Sequence, residues 1–259
     1  MVADSEPLVR PHPSQIKAVA FDCYGTLLDF DERAFAPAVH AFLEEHGIDH
    51  VDGDAVWKWW LDAAREHSRS HGRDPEKPLD GPEPPFFPMA DTWPRFFEHA
   101  FREAGIETPH PHDAFRHLFD LLANAQPYQE VHEVLQALQR AAIPVVVASN
   151  ADDVHLQPAL ERTGIDATHV MSSEGLRSYK PRRPFFDAVV ARLGLENHEI
   201  LYVGDNPYAD VTGARNAGML AYWVCRYEHE SHKELLKAEP HWTYADLRGL
   251  VEVVLGEDS

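Results

Sequence analysis

The second half of the chain alternates short apolar runs with amphipathic segments. The run at 144–148 is continuous and β-branched, as in a strand buried on both faces of a parallel sheet. Further strands are predicted at 169–172, 199–203 and 220–224. Helical spacing predicts helices over 131–141, 153–163, 184–193, 208–217 and 244–255. The repeated strand–helix order predicts an α/β fold, in which helices cover both faces of a parallel sheet.

A different pattern occupies the region between residues 31 and 125. Hydrophobic positions recur at helical spacing through most of it, and the predicted helices cover 32–46, 54–71, 91–104 and 113–124. A proline-rich stretch without periodicity, 73–89, is predicted as a long loop of the kind that forms lids or binding elements.

One more apolar run, 16–21, precedes this helical block. A lone strand has nothing to pair with, so we expect it to join the sheet of the later strands. The helical block is then an insertion after the first strand. We therefore predict a loose N-terminal tail over 1–15, an α/β core formed by 16–30 and 126–259, and an all-helical cap formed by 31–125.

The composition is that of a globular protein with a strong acidic excess. Among 259 residues, 43 are acidic and 23 are Lys or Arg, which gives a formal charge of -20. This charge argues against nucleic acid and anionic membrane partners, since both require a basic surface. A small anionic substrate would need a local positive site to offset the overall field. These features leave the oligomeric state open.

The cysteines and the N-terminus indicate the compartment. The two cysteines, Cys23 and Cys225, are far apart in the sequence, so neither a disulfide framework nor a metal-binding spacing is expected. Residues 1–15 are polar and lack the apolar segment of a signal peptide, and no apolar run reaches membrane-spanning length. Together these features predict a cytoplasmic protein.

Polar side chains follow four predicted strands at the point where each strand ends. They are Asp22 after the first, Ser149 and Asn150 after the second, Lys180 after the third, and Asp205 and Asp210 after the fourth. The carboxyl ends of parallel strands meet at one edge of the sheet, which is where α/β proteins bind ligands. The sequence therefore predicts one site that contains carboxylates, a hydroxyl and an ammonium group.

Each of these groups has a chemical use. Asp22 is the candidate nucleophile, although by itself it could equally cap the turn that comes after it. Asp22 and Asp205 supply the hard oxygen ligands that Mg²⁺ prefers, and the Tyr24 carbonyl could add a third. Asp210 would hold metal-bound water or orient Asp205. Mg²⁺ is therefore the expected cofactor.

The remaining candidates would bind substrate or stabilise charge. Ser149 and the amides of the turn at 23–25 are suited to phosphoryl oxygens. Lys180 would neutralise the transition state and keep Asp22 ionised. Further substrate-binding candidates in these turns are Tyr24, Gly25, Thr26 and Asn150.

Together these segments resemble the haloacid dehalogenase (HAD) superfamily. The matching motifs are Phe21-Asp22-Cys23-Tyr24-Gly25-Thr26-Leu27, Ala148-Ser149-Asn150, Tyr179-Lys180-Pro181, and Val203-Gly204-Asp205 with Asp210. The resemblance implies a Rossmann-like core with a central parallel sheet and a helical cap inserted between the first and second motifs. It also implies an aspartate nucleophile and, usually, a Mg²⁺ cofactor.

Two positions in these motifs resemble different branches of that superfamily. Tyr24 stands where its phosphatases usually have a second Asp that serves as general acid, and this form resembles the 2-haloacid dehalogenases. Asp205, however, resembles the metal-binding phosphatases, since the dehalogenases typically have Ser there. A carboxylate beside Asp22 is costly without a cation, so we favour a Mg²⁺-dependent phosphatase that acts on a small phosphorylated metabolite.

Two alternative functions are compatible with the sequence. In a metal-independent 2-haloacid dehalogenase, a cation of the cap would bind the substrate carboxylate, and Lys58 and Arg65 are the candidates. The loss of the acid at Tyr24 also motivates a non-catalytic binding protein that keeps the fold. Such a protein would have no need for the whole set of reactive groups at the strand ends.

Overall fold

The computed structural model describes residues 10–71, 79, 81–226 and 235–256. The strands are β1 (Ala18–Phe21), β2 (Leu28–Asp29), β3 (Gln126–Pro127), β4 (Val145–Ser149), β5 (His169–Ser172), β6 (Ile200–Gly204), β7 (Leu220–Val224) and β8 (Trp242–Tyr244). The helices are α1 (Phe35–Glu45), α2 (Gly53–Ser70), α3 (Met89–Ala104), α4 (Pro111–Asn124), α5 (Val131–Arg140), α6 (Asp153–Thr163), α7 (Ser173–Leu176), α8 (Arg183–Leu193), α9 (Gly213–Asn216) and α10 (Arg248–Leu255).

In these described ranges, six strands form one parallel sheet in the order β5–β4–β1–β6–β7–β8. β1 lies between β4 and β6, and Val19 is opposite Val145 on one side and Leu201 on the other. Successive β1 side chains enter different buried clusters, Val19 and Phe21 on one face and Ala20 on the other. The predicted fold class is confirmed, and Asp22 follows a strand in the interior of the sheet.

The last part of the sheet differs from the sequence prediction. A helix is expected over 244–255, but the chain first forms β8, and α10 begins only at Arg248. Trp242 is the parallel partner of Tyr222, so pairing with β7 holds this segment extended. A strand of three residues is too short to show an alternating pattern in the sequence.

The helix predicted over 208–217 also differs. A π-helical turn, Pro207–Thr212, precedes the short helix α9. The amides of Asp210 and Val211 both donate to the Asn206 carbonyl, at 3.0 and 3.3 Å. The Asn206 amide in turn donates to Asp210 Oδ2 at 2.9 Å, so the wide turn fixes the Asp210 carboxylate near the end of β6.

The helical insertion leaves and rejoins the core through a small antiparallel hairpin. Leu28 of β2 pairs with Pro127 of β3, so the two ends of the insertion are adjacent. Helices α1 to α4 lie between them and bury their own apolar cluster. Trp60 stacks on Trp57 at 4.7 Å and meets Trp93 edge-on at 5.2 Å. These aromatic contacts give the cap a core that is distinct from the clusters on the two faces of the sheet.

Part of the segment predicted as a loose tail is held against the core. Residues 13–15 form a short 3₁₀ turn, and Arg10 Nε donates to the His241 carbonyl at 2.9 Å. Residues 1–9 lie outside the described part, as do 73–78 and 80 of the predicted loop. Residues 81–88 of that loop have no regular secondary structure. None of the described helices is both long and apolar enough to cross a membrane.

Candidate active site

The centre of the site is a buried ammonium group between two buried carboxylates. Lys180 Nζ lies 2.5 Å from Asp22 Oδ1 and 2.7 Å from Asp210 Oδ1. Ser149, the last residue of β4, donates from Oγ to Asp22 Oδ1 at 3.0 Å. Each of these four side chains is less than a tenth exposed. The structure thus brings together the three residues predicted to be catalytic, Asp22, Ser149 and Lys180.

The backbone around Lys180 is fixed by Asn150. The Asn150 side chain accepts a hydrogen bond from the Lys180 amide at 2.8 Å and donates one to the Lys180 carbonyl at 3.1 Å. The sequence predicts that Asn150 binds substrate, but its amide is used on both sides by this clamp. Because the clamp joins the end of β4 to the segment after α7, it positions the Lys180 side chain relative to Ser149.

Electrostatics keep Lys180 charged. Burial by itself would lower the pKa of Lys180, but the carboxylates of Asp210 and Asp22 outweigh that effect and raise the pKa well above its ordinary value. The ammonium also lies 5.4 Å from the Tyr202 ring centre and 5.8 Å from the Phe185 ring centre. The site therefore holds a permanent positive charge beside Asp22, as an anionic substrate requires in a strongly acidic chain.

A third carboxylate makes the cluster more acidic than its ammonium group can balance. Oxygen atoms of Asp22, Asp205 and Asp210 all lie within 4.8 Å of one another. Burial, followed by the charges of Asp22 and Asp210, raises the pKa of Asp205 well above its ordinary value. Burial raises the pKa of Asp210 to about 6, with Lys180 opposing and Asp22 adding to the rise. A cation placed among these oxygens would relieve this repulsion.

Two glycines make room for these carboxylates. A Cβ at Gly25 would lie 2.4 Å from Asp205 Oδ2, and a Cβ at Gly204 would lie 2.3 Å from Asp210 Oδ2. Gly25 also has a φ of +83°, which favours glycine. Thr26 Oγ1 donates to Asp205 Oδ1 at 3.1 Å, so Thr26 contacts a carboxylate, although the sequence predicts that it binds substrate.

The turn after β1 offers fewer free amides than predicted. The Gly25 amide, expected to bind a phosphoryl oxygen, instead donates to the Leu28 carbonyl at 2.9 Å. Among the described residues, the amides of Cys23 and Tyr24 donate to no acceptor, and the Tyr24 carbonyl accepts no hydrogen bond. These groups remain available to a ligand. The Gly25 amide is not available to a ligand because its hydrogen bond to Leu28 closes the turn.

A cavity of about 620 Å³ covers this centre, and both the core and the cap contribute to it. Its apolar lining includes Phe30, Phe35, Met89, Trp93 and Leu122. Lys58 does not line the cavity, and neither does Arg65. Lys58 is exposed on α2, and Arg65 is paired with Asp62 on the exposed face of the same helix. The structure therefore does not bring either predicted cap cation to the site.

Other cationic and polar residues reach the cavity without having been predicted. Arg226, after β7, bonds Glu130 at 2.8 Å and the Thr26 carbonyl at 2.8 Å. Arg33, at the start of the cap, pairs with Asp31. His155 of α6 also lines the cavity. Arg226 lies just after the predicted strand at 220–224, and this position was the one signal that could have identified it.

The cap is joined to the segment that carries Lys180 by residues 81–88, which we call the strap. The contacts are Ser178 Oγ to Glu83 Oε1 at 2.6 Å, Tyr179 Oη to the Phe87 carbonyl at 2.8 Å, and the Phe86 ring stacked on the Tyr179 ring at 4.8 Å. The strap therefore contacts both residues that directly precede Lys180.

Comparison with known proteins agrees with this fold. A family model described as haloacid dehalogenase-like hydrolase matches residues 16–218. The chain therefore belongs to the haloacid dehalogenase-like hydrolases, and the resemblance stated from the sequence is confirmed.

Curated relatives include two kinds of hydrolase. (S)-2-haloacid dehalogenase of Pseudomonas sp. (strain YL) is 28% identical over 138 residues, 52% of this chain and 58% of that protein. Phosphoglycolate phosphatase of Mannheimia succiniciproducens is 26% identical over 254 residues, 93% of this chain and 99% of that protein. The chain spans about half the length of the dehalogenases that match it first, 58% and 45% of two of them.

Solved structures share the fold. The L-2-haloacid dehalogenase from Xanthobacter autotrophicus with chloropropionic acid covalently bound has a TM-score of 0.68 and 22% identity, covering 93% of this chain and 99% of that one. A HAD-hydrolase from Bacillus subtilis bound to magnesium has a TM-score of 0.69 and 18% identity, covering 92% and 98%. At these identities the likeness concerns the fold.

Proposed function

We propose that this protein is a Mg²⁺-dependent phosphatase that hydrolyses a small phosphorylated metabolite through a covalent intermediate on Asp22. One observation carries the proposal: oxygen atoms of Asp22, Asp205 and Asp210 lie within 4.8 Å of one another, and Lys180 pairs with Asp22 and Asp210. A dehalogenase that needs no metal has no use for the extra carboxylate at Asp205, whereas a Mg²⁺ site does.

In the proposed reaction, an Asp22 oxygen attacks phosphorus, and the bond from phosphorus to the leaving oxygen breaks. Lys180 neutralises charge that develops on the phosphoryl oxygens, and Ser149 Oγ orients the attacking carboxylate through its 3.0 Å bond. Water then attacks the aspartyl phosphate, which releases inorganic phosphate and restores Asp22. These residues act from fixed positions because the strand ends and the Asn150 clamp hold them.

The donor set suits Mg²⁺. Carboxylate oxygens of Asp22 and Asp205 and the unengaged Tyr24 carbonyl would hold the ion, with Asp210 beside them. When bound, the ion would polarise a phosphoryl oxygen and offset the charge of the cluster. Burial, and after it the charges of Asp22 and Asp210, raise the pKa of Asp205, and a cation at this position would offset both effects.

Tyr24 does not supply the general acid that the second Asp of the motif usually provides. Burial, with the charges of Cys23 and Asp22, raises the pKa of Tyr24 above its ordinary value. Its hydroxyl lies 3.4 Å from the His155 carbonyl, to which it donates. Tyr24 therefore keeps its proton, and we propose that the preferred substrates have leaving groups that need little protonation.

The alternative function is a 2-haloacid dehalogenase, which the identity to such enzymes and the tyrosine at position 24 favour. In that reaction Asp22 would attack the carbon that bears the halogen, and halide would leave without an acid. The chloropropionic acid covalently bound in the Xanthobacter enzyme is a precedent for an intermediate of that kind.

The deciding experiment measures phosphate release from p-nitrophenyl phosphate with Mg²⁺ or with EDTA, and chloride release from 2-chloropropionate. Phosphate release that EDTA abolishes would support the phosphatase. Chloride release that is insensitive to EDTA would replace it with the dehalogenase. Release of neither phosphate nor chloride, with Mg²⁺ binding still detected by calorimetry, would favour a non-catalytic binding protein.

A further inference from the structure

His155 is a buried side chain without hydrogen-bond partners at the boundary of the cavity. It is 2% exposed, and its Nδ1 has no partner. Among the described residues neither ring nitrogen takes part in a hydrogen bond. Burying such a group without a partner costs free energy, so native structures rarely keep one without a use for it.

The surroundings of the imidazole are mostly apolar. The Phe119 ring of α4 lies 4.5 Å from it, and the Tyr24 ring lies 5.6 Å from it. Burial lowers the pKa of His155 to about 4, so the ring is neutral near pH 7. A neutral imidazole offers one N–H donor and one acceptor.

His155 lines the same cavity as Asp22 and Lys180. Its ring contacts Tyr24, which follows the nucleophile by two residues, and Phe119, which belongs to the apolar cluster of the cap. Two cations that line the same cavity already bind acidic partners, Arg33 with Asp31 and Arg226 with Glu130. His155, in contrast, lines the cavity and forms no hydrogen bond with any described residue.

We propose that His155 is a substrate-binding residue whose imidazole hydrogen-bonds an oxygen atom in the organic part of the substrate. The proposal rests on the proposed function for the placement of the phosphoryl group at Asp22. It narrows the substrate to a phosphate monoester with an oxygen-bearing organic part, such as a carboxylate or a hydroxyl, beside the phosphoryl group.

Calorimetric titration with two probes, in the presence of Mg²⁺, tests this role. Inorganic phosphate carries only the phosphoryl part, whereas phosphonoacetate adds a carboxylate. We expect wild type to bind phosphonoacetate at least about tenfold more tightly than phosphate. His155→Leu should weaken phosphonoacetate binding by about tenfold to a hundredfold and leave phosphate binding within about twofold, since a hydrogen bond to a charged group is lost. Nε2, unlike Nδ1, is not fully buried, so His155→Gln, which places an amide nitrogen near the position of Nε2, should recover part of the loss.

The matched control is His241, a buried histidine that does not line the cavity. Its Nδ1 accepts from the Ala221 amide at 3.0 Å, and its Nε2 lies 2.9 Å from Arg215 Nη1. His241→Leu should lower the melting temperature by several degrees and leave binding of both probes unchanged. His155→Leu should leave the melting temperature unchanged or higher, because it removes a polar group that lacks a partner.

Several results would overturn the proposal. Equal binding of the two probes by wild type, or phosphonoacetate binding that survives His155→Leu, would show that the imidazole has no ligand. A melting temperature lowered as much as in His241→Leu would make it structural. Absence of Mg²⁺-dependent phosphate release from p-nitrophenyl phosphate would overturn the phosphatase proposal, whereas a protein that releases phosphate but does not prefer phosphonoacetate would overturn only the role of His155.

Discussion

At the scale of single residues, the site depends on a few atoms held in short contacts. Asp22 shares its Oδ1 between Lys180 and Ser149, at 2.5 and 3.0 Å. Its other carboxylate oxygen makes no hydrogen bond with a described residue. That oxygen is the atom available for attack, and the Lys180 ammonium group lies beside the same carboxylate.

Replacing the nucleophile tests its role directly. Asp22→Asn should reduce kcat by about a thousandfold or more, because an amide oxygen is a far weaker nucleophile. Activity on p-nitrophenyl phosphate and circular dichroism measure the loss and the integrity of the fold. Asp187→Asn, which removes an exposed carboxylate on α8, should leave both unchanged. A fully active Asp22→Asn variant would remove Asp22 as nucleophile.

Gly25 is a second residue at which one added atom should disturb the site. Gly25→Ala would place a methyl group 2.4 Å from Asp205 Oδ2 and strain a φ of +83°. We expect Mg²⁺ affinity and kcat/KM to fall by about a hundredfold, because a displacement of about 1 Å in a site has effects of that size.

A matched glycine separates strain from contact. Gly47 also has a positive φ, +69°, but a Cβ there would meet nothing within 4 Å. Gly47→Ala should cost only about 1 kcal/mol of stability in urea unfolding and leave activity unchanged. If Gly25→Ala is as active as Gly47→Ala, the close approach to Asp205 has no functional consequence.

At the scale of elements, the cap contacts the core at more places than the β2–β3 hairpin through which the chain enters and leaves it. The strap contacts the residues before Lys180, and Asp152, at the start of α6, accepts from the Ala90 amide of α3 at 2.7 Å. Asp152 is fully buried, so this bond is protected from water. Movement of the cap would therefore disturb the segments that carry Lys180 and Ser149.

The contribution of the strap to this connection between cap and core can be measured at the stacked pair of Phe86 and Tyr179. In a double-mutant cycle with Phe86→Ala and Tyr179→Ala, urea unfolding should give an interaction energy of about 0.5–1.5 kcal/mol, as expected for aromatic pairs. Each single variant should also lower kcat severalfold, because Lys180 loses a neighbour that holds its backbone. A parallel cycle of Phe86→Ala with Arg183→Ala, an exposed residue of α8, should give no coupling. An equally small value for Tyr179 would contradict the fastening role of the strap.

At the scale of the whole molecule, the formal charge of -20 repels anions, and the site compensates locally. Lys180 supplies a buried positive charge, and Arg226 lies at the edge of the same cavity. The overall field and the local field thus have opposite effects on an anionic substrate.

Stability of the whole fold should depend on pH through His241. Burial, with the nearby charges of Arg215 and Arg10, lowers its pKa to about 4, whereas an unfolded histidine titrates near 6.5. Between these values the unfolded chain binds the additional proton, so the stabilisation present above pH 6.5 is lost as pH falls toward 4. From pH 6.5 to 5 the loss should be about 1–2 kcal/mol.

Urea unfolding at pH 7 and pH 5 checks this effect. The difference in unfolding free energy between the two pH values should be smaller in His241→Leu than in wild type by that amount. An identical difference in both proteins would show that His241 does not titrate between the folded and unfolded states.

The sequence alone determined most of the order of strands and helices, the α/β class and the residues at the strand ends. Apolar runs are local patterns, and a parallel sheet necessarily brings the carboxyl ends of its strands to one edge. The pattern of runs therefore sufficed to associate Asp22, Ser149, Lys180 and Asp205 with a single site. The motif at Asp22 likewise indicated the family.

Only the tertiary structure decided the rest, because it depends on contacts between residues far apart in the chain. β8 exists through its pairing with β7, and the π turn at Asp210 places a carboxylate that a regular helix would direct elsewhere. Lys58 and His155 show the same limit: helical spacing cannot tell which face of α2 or α6 meets the cavity. Packing of the cap against the core left Lys58 exposed and buried His155, since apolar burial, and not local pattern, orients the helices.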